Sequence, residues 1–153
     1  MSAFACASAF AAALQALPAP CGASRAAASA RQQQLTKPPG SLGRLEEVAL
    51  FMAGWQQRAI PAVERGKAIV FAGNHGVAAR GVSAFPASVT AQMVANFQAG
   101  GAAINALANA AGLRLAVVPL ALDRPTADFT TGPAMDTADC LAALNAGAAA
   151  IGD

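Results

Sequence analysis

The sequence has no tyrosine, one tryptophan, one histidine and three cysteines in 153 residues, and only 12% of it is charged. Cys6, Cys21 and Cys140 are odd in number, far apart and in no CxxC pair. That spacing excludes a disulfide framework and a zinc site, and reads as three reduced thiols of a cytoplasmic protein. A net charge of +2, with no basic cluster interleaved with aromatics, excludes a nucleic-acid footprint. No window approaches the roughly 18 consecutive apolar residues that a membrane span needs. Residues Met1 to Leu17 are apolar but have no Lys or Arg ahead of them, the first being Arg25, so they are not read as an export signal. Neither GxxxxGK[ST] nor GxGxxG occurs, so no standard phosphate cradle is announced.

What is abundant is alanine, within a chain that is 56% hydrophobic and the size of one ordinary domain. The central stretch is Lys67 to Gly101. Its apolar run Ala68 to Ala72 has the length and β-branched content of a buried parallel strand and stops at Gly73. A glycine-punctuated polar loop follows, and Ser88 stands where it can cap a long helix. Strand, loop and helix make half of a βαβ unit, whose ligand crevice lies at the carboxyl ends of the strands.

Upstream, Ala3 to Leu17 and Ala23 to Leu35 read as two helices separated by the Leu17-Pro18-Ala19-Pro20 breaker. The rigid Lys37-Pro38-Pro39-Gly40-Ser41 turn precedes a third helix, with Ser41 placed to cap it. Leu42, Leu45, Val48, Ala49, Met52 and Trp55 recur along that helix at three- and four-residue spacing, a face assigned to core packing. Downstream, Ser88 to Ala111 reads as one crossover helix interrupted at Gly100-Gly101. Its buried stripe includes Val89, Met93, Val94, Phe97, Ile104, Leu107 and Ala108. Gly112 stops it, and Leu113 to Val118 is the second strand, parallel to the first with a right-handed crossover. A loop rich in Pro, Thr, Asp and Gly runs to Asp136. A last helix, capped by Asp136 or Thr137, ends at Gly147, and Ala148 to Ile151 is expected to open a third strand.

The catalytic inventory is short. His75 could serve as a base or a ligand, but it has no second histidine and no carboxylate or thiol at ligand spacing, so a structural role in the turn is favoured. Asn74 and Gly76 beside it suit a turn of positive φ. Glu46 and Glu47 open the third helix, where they complement its dipole. Ser83, Phe85 and Pro86 offer a flat apolar rim with one hydroxyl, suited to an aromatic ring with a polar edge.

Four blocks carry a resemblance: Lys37-Pro38-Pro39-Gly40-Ser41-Leu42-Gly43-Arg44-Leu45-Glu46, Phe71-Ala72-Gly73-Asn74-His75-Gly76-Val77, Gly81-Val82-Ser83, and Gly100-Gly101-Ala102-Ala103-Ile104-Asn105. In this order they resemble the nicotinate-nucleotide:dimethylbenzimidazole phosphoribosyltransferases of cobalamin biosynthesis. The resemblance implies an α/β fold with a Rossmann-like parallel sheet, incomplete in this chain. Residues 1–60 are then the N-terminal helices of a smaller helical domain, and residues 61–153 the first part of the parallel domain, cut at its third strand. It implies a homodimer, no metal and no cofactor. The implied reaction transfers phosphoribosyl from nicotinate mononucleotide to 5,6-dimethylbenzimidazole, giving α-ribazole phosphate and nicotinate.

Position by position, the resemblance places Phe85 and Met93 at the wall of the base pocket, with Ala84 on the same rim. Asn74, His75, Ser83 and Pro86 belong to the supporting loop. Asn74 stands where many members carry Asp, and the loop after the second strand is shorter than the family pattern, so no ligand role is assigned to it. The family's phosphate loop is expected to begin at Asp153, and its catalytic glutamate lies beyond that residue, so the 153-residue chain by itself is expected to be nearly inactive. The alternative is a non-catalytic base-binding or subunit-interaction module completed by a separate C-terminal part.

Overall fold

The computed structural model describes residues 3–152. The chain divides into two compact units, Leu14–Glu64 and the remainder.

The unit Leu14–Glu64 is helical. It contains α2 (Gly22–Gln34) and α3 (Arg44–Gln56), packed against each other. Cys21 caps α2, its Sγ accepting from the N–H and the hydroxyl of Ser24 at 3.4 and 3.3 Å. The helices approach at Gly54, whose carbonyl accepts from the N–H of Cys21 at 2.9 Å. A Cβ on Gly54 would stand 2.9 Å from Cγ of Arg25 and 3.1 Å from Cβ of Pro20, so a larger residue would have to push these side chains aside.

The buried residues here are therefore the small ones, Ala28, Ala53 and Gly54. This corrects the expected core face of α3: Leu42, Leu45, Val48 and Trp55 are exposed, while Ala49 and Met52 are half-buried. Close packing through alanine and glycine has turned the large residues outward. Ser41 does not cap α3 either. Gly43 holds the N-cap position, and Glu46, in the first turn of α3, reaches back to accept from the N–H of Leu42 at 3.2 Å.

The second unit holds the sheet. Strands β1 (Lys67–Gly73) and β2 (Arg114–Leu120) pair in parallel, in register from Lys67 opposite Arg114 to Gly73 opposite Leu120. The α/β class and the parallel pairing are as the sequence implied. Flanked by a single neighbour among the described residues, β1 is half-buried rather than buried, and Phe71 is exposed.

Between the strands the expected single helix is two: α4 (Ser88–Gln98) and α5 (Ala103–Ala110), both packed against the sheet. Gly100, at φ +80°, ends α4. Its N–H donates to the carbonyl of Phe97, and that of Gly101 to Asn96, a complete glycine stop where one interrupted helix was expected. Gly112 repeats the arrangement after α5, with Leu113 N–H donating to Ala108 at 2.8 Å. The Asn105 side chain joins the two helices, accepting from the N–H of Ala102 and donating to the carbonyl of Phe97. Ser88 is the first residue of α4 rather than its cap, since Ala87 at the N-cap has helical dihedrals. Of the expected stripe, Val94 and Ala108 are buried, whereas Met93 and Leu107 are exposed.

The N-terminal helix is shorter than expected, α1 (Ala7–Gln15). The largest correction concerns the C-terminal stretch. Helix α6 (Thr137–Gly152) runs through Gly147 and through Ala148 to Ile151, where a third strand was expected. Alanine is the best helix former and lacks the β-branched bulk of a strand, and one interior glycine costs only about 1 kcal/mol. The strand that was to lead to Asp153 is absent from the described residues, and Asp153 lies outside them. Asp136 does cap this helix, its Oδ1 accepting from the N–H of Asp139 at 2.8 Å.

Candidate functional site: a cleft at the strand ends

A cleft of about 640 Å³ opens at the carboxyl ends of β1 and β2, the place where a parallel sheet presents its loops. It is built by a break in register. Gly73 lies opposite Leu120, but the next paired residues are His75 and Thr126, so two steps along the first strand correspond to six along the second. The extra residues loop out between Leu120 and Thr126 and form one side of the cleft with Ala121, Arg124 and Pro125. The loop starts at Ala121, a non-glycine residue at φ +42°.

Pairing then resumes. Thr126 N–H donates to the carbonyl of Asn74 at 3.1 Å, and Gly76 N–H donates to the carbonyl of Thr126 at 2.9 Å. A short 3-10 helix, Gly76–Arg80, leaves this crossing, and Arg80 pairs with Asp128. That guanidinium, followed by the Thr130 hydroxyl and N–H, holds the Asp128 carboxyl below the usual carboxylate range. The far side of the cleft comes from α6 and the turn before it, with Met135, Asp136 and Asp139. Arg124 donates to Asp139 at 2.9 Å across it. Phe129, Met135, Pro119 and Leu120 make the lining mostly apolar, with Asn74, the imidazole of His75, the Thr126 hydroxyl, Asp136 and the Arg124–Asp139 pair as polar points.

Of the residues singled out from sequence, Asn74 and His75 line the cleft. Asn74 is held at both ends of its amide: its Nδ2 donates to the carbonyl of Leu122 at 2.7 Å, and its Oδ1 accepts from the hydroxyl of Thr90 at 2.6 Å. His75 is exposed, with Nδ1 3.5 Å from the Thr126 hydroxyl. Ala84, Phe85 and Met93 stand outside the cleft, all three exposed, Phe85 by 69%. Ser83 and Pro86 are exposed beside them, and the Ser83 hydroxyl is taken by Phe85, donating to its carbonyl at 2.9 Å. Sequence reasoning missed the contribution of the loop after β2, including Arg124, Thr126 and Phe129. Its position directly after a parallel strand, and its wealth of turn residues, were the available signals. Among the described residues no group of three or more His, Cys, Asp or Glu side chains is placed to hold a metal, and no helix is long and apolar enough to cross a membrane.

Residues 17–153 match the model of a phosphoribosyltransferase family. The chain belongs to this family. It is 65% identical over 151 residues to the nicotinate-nucleotide–dimethylbenzimidazole phosphoribosyltransferase of Novosphingobium aromaticivorans, an alignment covering 99% of this chain and 45% of that protein. The equivalent protein of Ruegeria pomeroyi is 61% identical, over 90% of this chain and 41% of the relative. The crystal structure of the Thermus thermophilus nicotinate-nucleotide-dimethylbenzimidazole phosphoribosyltransferase superposes with a TM-score of 0.75 at 43% identity, covering 83% of this chain and 43% of that one. The chain thus spans less than half the length of these relatives.

Proposed function

We propose that this chain is part of an enzyme that transfers phosphoribosyl from nicotinate mononucleotide to 5,6-dimethylbenzimidazole, in the cytoplasm and as a homodimer. The observation that carries the reading is the family match over residues 17–153, together with relatives named as this transferase at 65% and 61% identity. In this reaction a ring nitrogen of the base attacks the ribose C1, and the bond from C1 to the pyridinium nitrogen breaks. The electron pair returns to the pyridine ring, which leaves as neutral-ring nicotinate. The benzimidazolium so formed gives up its N–H proton, leaving α-ribazole phosphate. The leaving group carries its own positive charge, so positioning and one proton acceptor are sufficient chemistry.

Ala84, Phe85 and Met93 are assigned to one wall of the slot for the flat base, with Asn74, His75, Ser83 and Pro86 as the loop that supports it. The exposure of Phe85 suits a wall that closes only against further chain. Neither carboxylate of the cleft is assigned the proton: Asp139 is paired with Arg124 and Asp136 caps α6. The proton acceptor and the phosphate-binding amides are placed in the additional length that the relatives possess. The helical unit Leu14–Glu64 is assigned to the smaller domain.

The test is to incubate the purified protein with both substrates, alone and with the C-terminal part of the Novosphingobium relative supplied as a second polypeptide. Release of nicotinate in step with α-ribazole phosphate supports the reading. Absence of both products from the complemented mixture, under conditions where the intact relative turns over, overturns it.

A further inference from the structure

We propose that Asn74 is a positioning residue of the cleft, whose amide holds the looped-out segment after β2 against helix α4 and so fixes where that segment stands over the cavity. Residue 74 grips both feet of the loop. Its side chain reaches Leu122 near the start, with Nδ2 donating to the carbonyl at 2.7 Å, and its own carbonyl takes the N–H of Thr126 at the end, at 3.1 Å. The other side of the amide accepts from Thr90 of α4 at 2.6 Å. The loop needs such a hold, because it departs from the sheet through Ala121 in the left-handed region, a conformation disfavoured for a residue with a Cβ.

The chemistry selects an amide at this position. A backbone carbonyl can only accept, so the atom facing Leu122 must be the NH2 group. The oxygen is then turned to Thr90, whose hydroxyl donates. One side chain must therefore donate on one side and accept on the other, which asparagine does and an ionised carboxylate cannot. An aspartate would keep the Thr90 bond and set a charged oxygen against the Leu122 carbonyl. Once protonated, it regains a donor and can restore both bonds.

The ionisable groups on the surrounding elements are His75 from the turn, Asp123, Arg124 and Asp128 from the loop, and Asp136 and Asp139 at the start of α6. Arg124 is paired with Asp139, and Asp128 with Arg80. Helix α4 contributes none, its sequence being SVTAQMVANFQ. Wild-type protein carries every one of these groups, so a response seen only in Asn74→Asp belongs to residue 74.

The proposal deepens the phosphoribosyltransferase reading by naming a determinant of the cleft, and its test needs no substrate. Amide hydrogen exchange of the full chain is followed for residues 121–126, with β1 and α6 as internal references, as protection factors between pH 4 and pH 8. Asn74→Ala is expected to lower protection of this segment about tenfold at every pH, the scale of one lost partly buried hydrogen bond, with the references unchanged. Asn74→Asp is expected to match it at pH 8 and to recover most of the difference towards pH 4.

Protection within twofold of wild type for both variants at pH 8 overturns the proposal, as does an Asn74→Asp that follows Asn74→Ala at pH 4. Should the position-74 variants fail to fold, Thr90→Ser and Thr90→Val decide: the serine is expected to behave as wild type and the valine to lose protection in residues 121–126, whereas equal behaviour overturns it. A failed transferase assay leaves these outcomes standing, and a failed exchange test leaves the transferase reading standing.

Discussion

Gly76 and Thr126 meet backbone to backbone, the N–H of one donating to the carbonyl of the other at 2.9 Å, and no side chain fits between them. A Cβ built on Gly76 falls 2.5 Å from the Thr126 oxygen, 2.7 Å from the Asp128 nitrogen and 2.8 Å from the Ala127 carbonyl carbon. All three are main-chain atoms, so none can swing aside. Gly76→Ala is therefore expected to displace residues 126–128, to separate Arg80 from Asp128, and to destabilise the α/β unit by about 1–3 kcal/mol. Urea denaturation of the two proteins checks the magnitude, and an unchanged midpoint would contradict the contact.

Gly147 is the opposite case. It lies within α6 with nothing within 4 Å of its virtual Cβ. Gly147→Ala is expected to stabilise the protein by about 0.5–1 kcal/mol, because alanine loses less backbone entropy in a helix. Were these residues a strand entered by a turn, as the sequence implied, the substitution would bring no such gain. Thermal melting thus tests the corrected secondary structure directly.

Lys37 and Glu46 join the proline-rich turn to α3 at 2.6 Å. The Lys37 ammonium, and after it the Leu42 N–H, hold the Glu46 carboxyl below its ordinary value. A carboxylate whose pKa is depressed on folding stabilises the folded state above its unfolded pKa, and loses that contribution as pH falls through the folded one. The stability difference between wild type and Glu46→Gln is therefore expected to be constant near neutrality and to fade below about pH 4, where the unfolded carboxyl also protonates. Denaturation midpoints at pH 7, 5 and 3 measure it. A difference that grows towards acid would reverse the assignment.

Phe85 is 69% exposed, so its ring contributes little to folding. Phe85→Ala is expected to change stability by less than about 0.5 kcal/mol. In the protein complemented with the relative's C-terminal part, the proposed place of Phe85 in the base slot predicts a KM for dimethylbenzimidazole raised about tenfold or more by the same change. Equal KM values would remove Phe85 from the base slot.

Local signals carried much of the fold. The β-branched run before Gly73, the Gly112 stop and the Asp136 cap were legible because each depends on residues near in sequence. The errors arose where tertiary geometry decides. Leu45 and Trp55 have core spacing, yet the close approach at Gly54 gives the interior to small residues instead. Ala148 to Ile151 is too short a window to distinguish strand from helix, and the alanine-rich context settled it as helix. Of the candidate site, Asn74 and His75 were found from one turn. A crevice at the strand ends was expected, but the side of it built by the second strand's loop was not, because that side depends on the loop returning to the first strand four residues late.

That late return separates two properties that sheets usually couple. Since hydrogen-bonded pairing is secured on both sides of the excursion, residues can be inserted into it or deleted from it while every strand partner keeps its place. The excursion is thus a site where evolution or a protein engineer can reshape what the cleft admits, leaving the scaffold that carries it in frame.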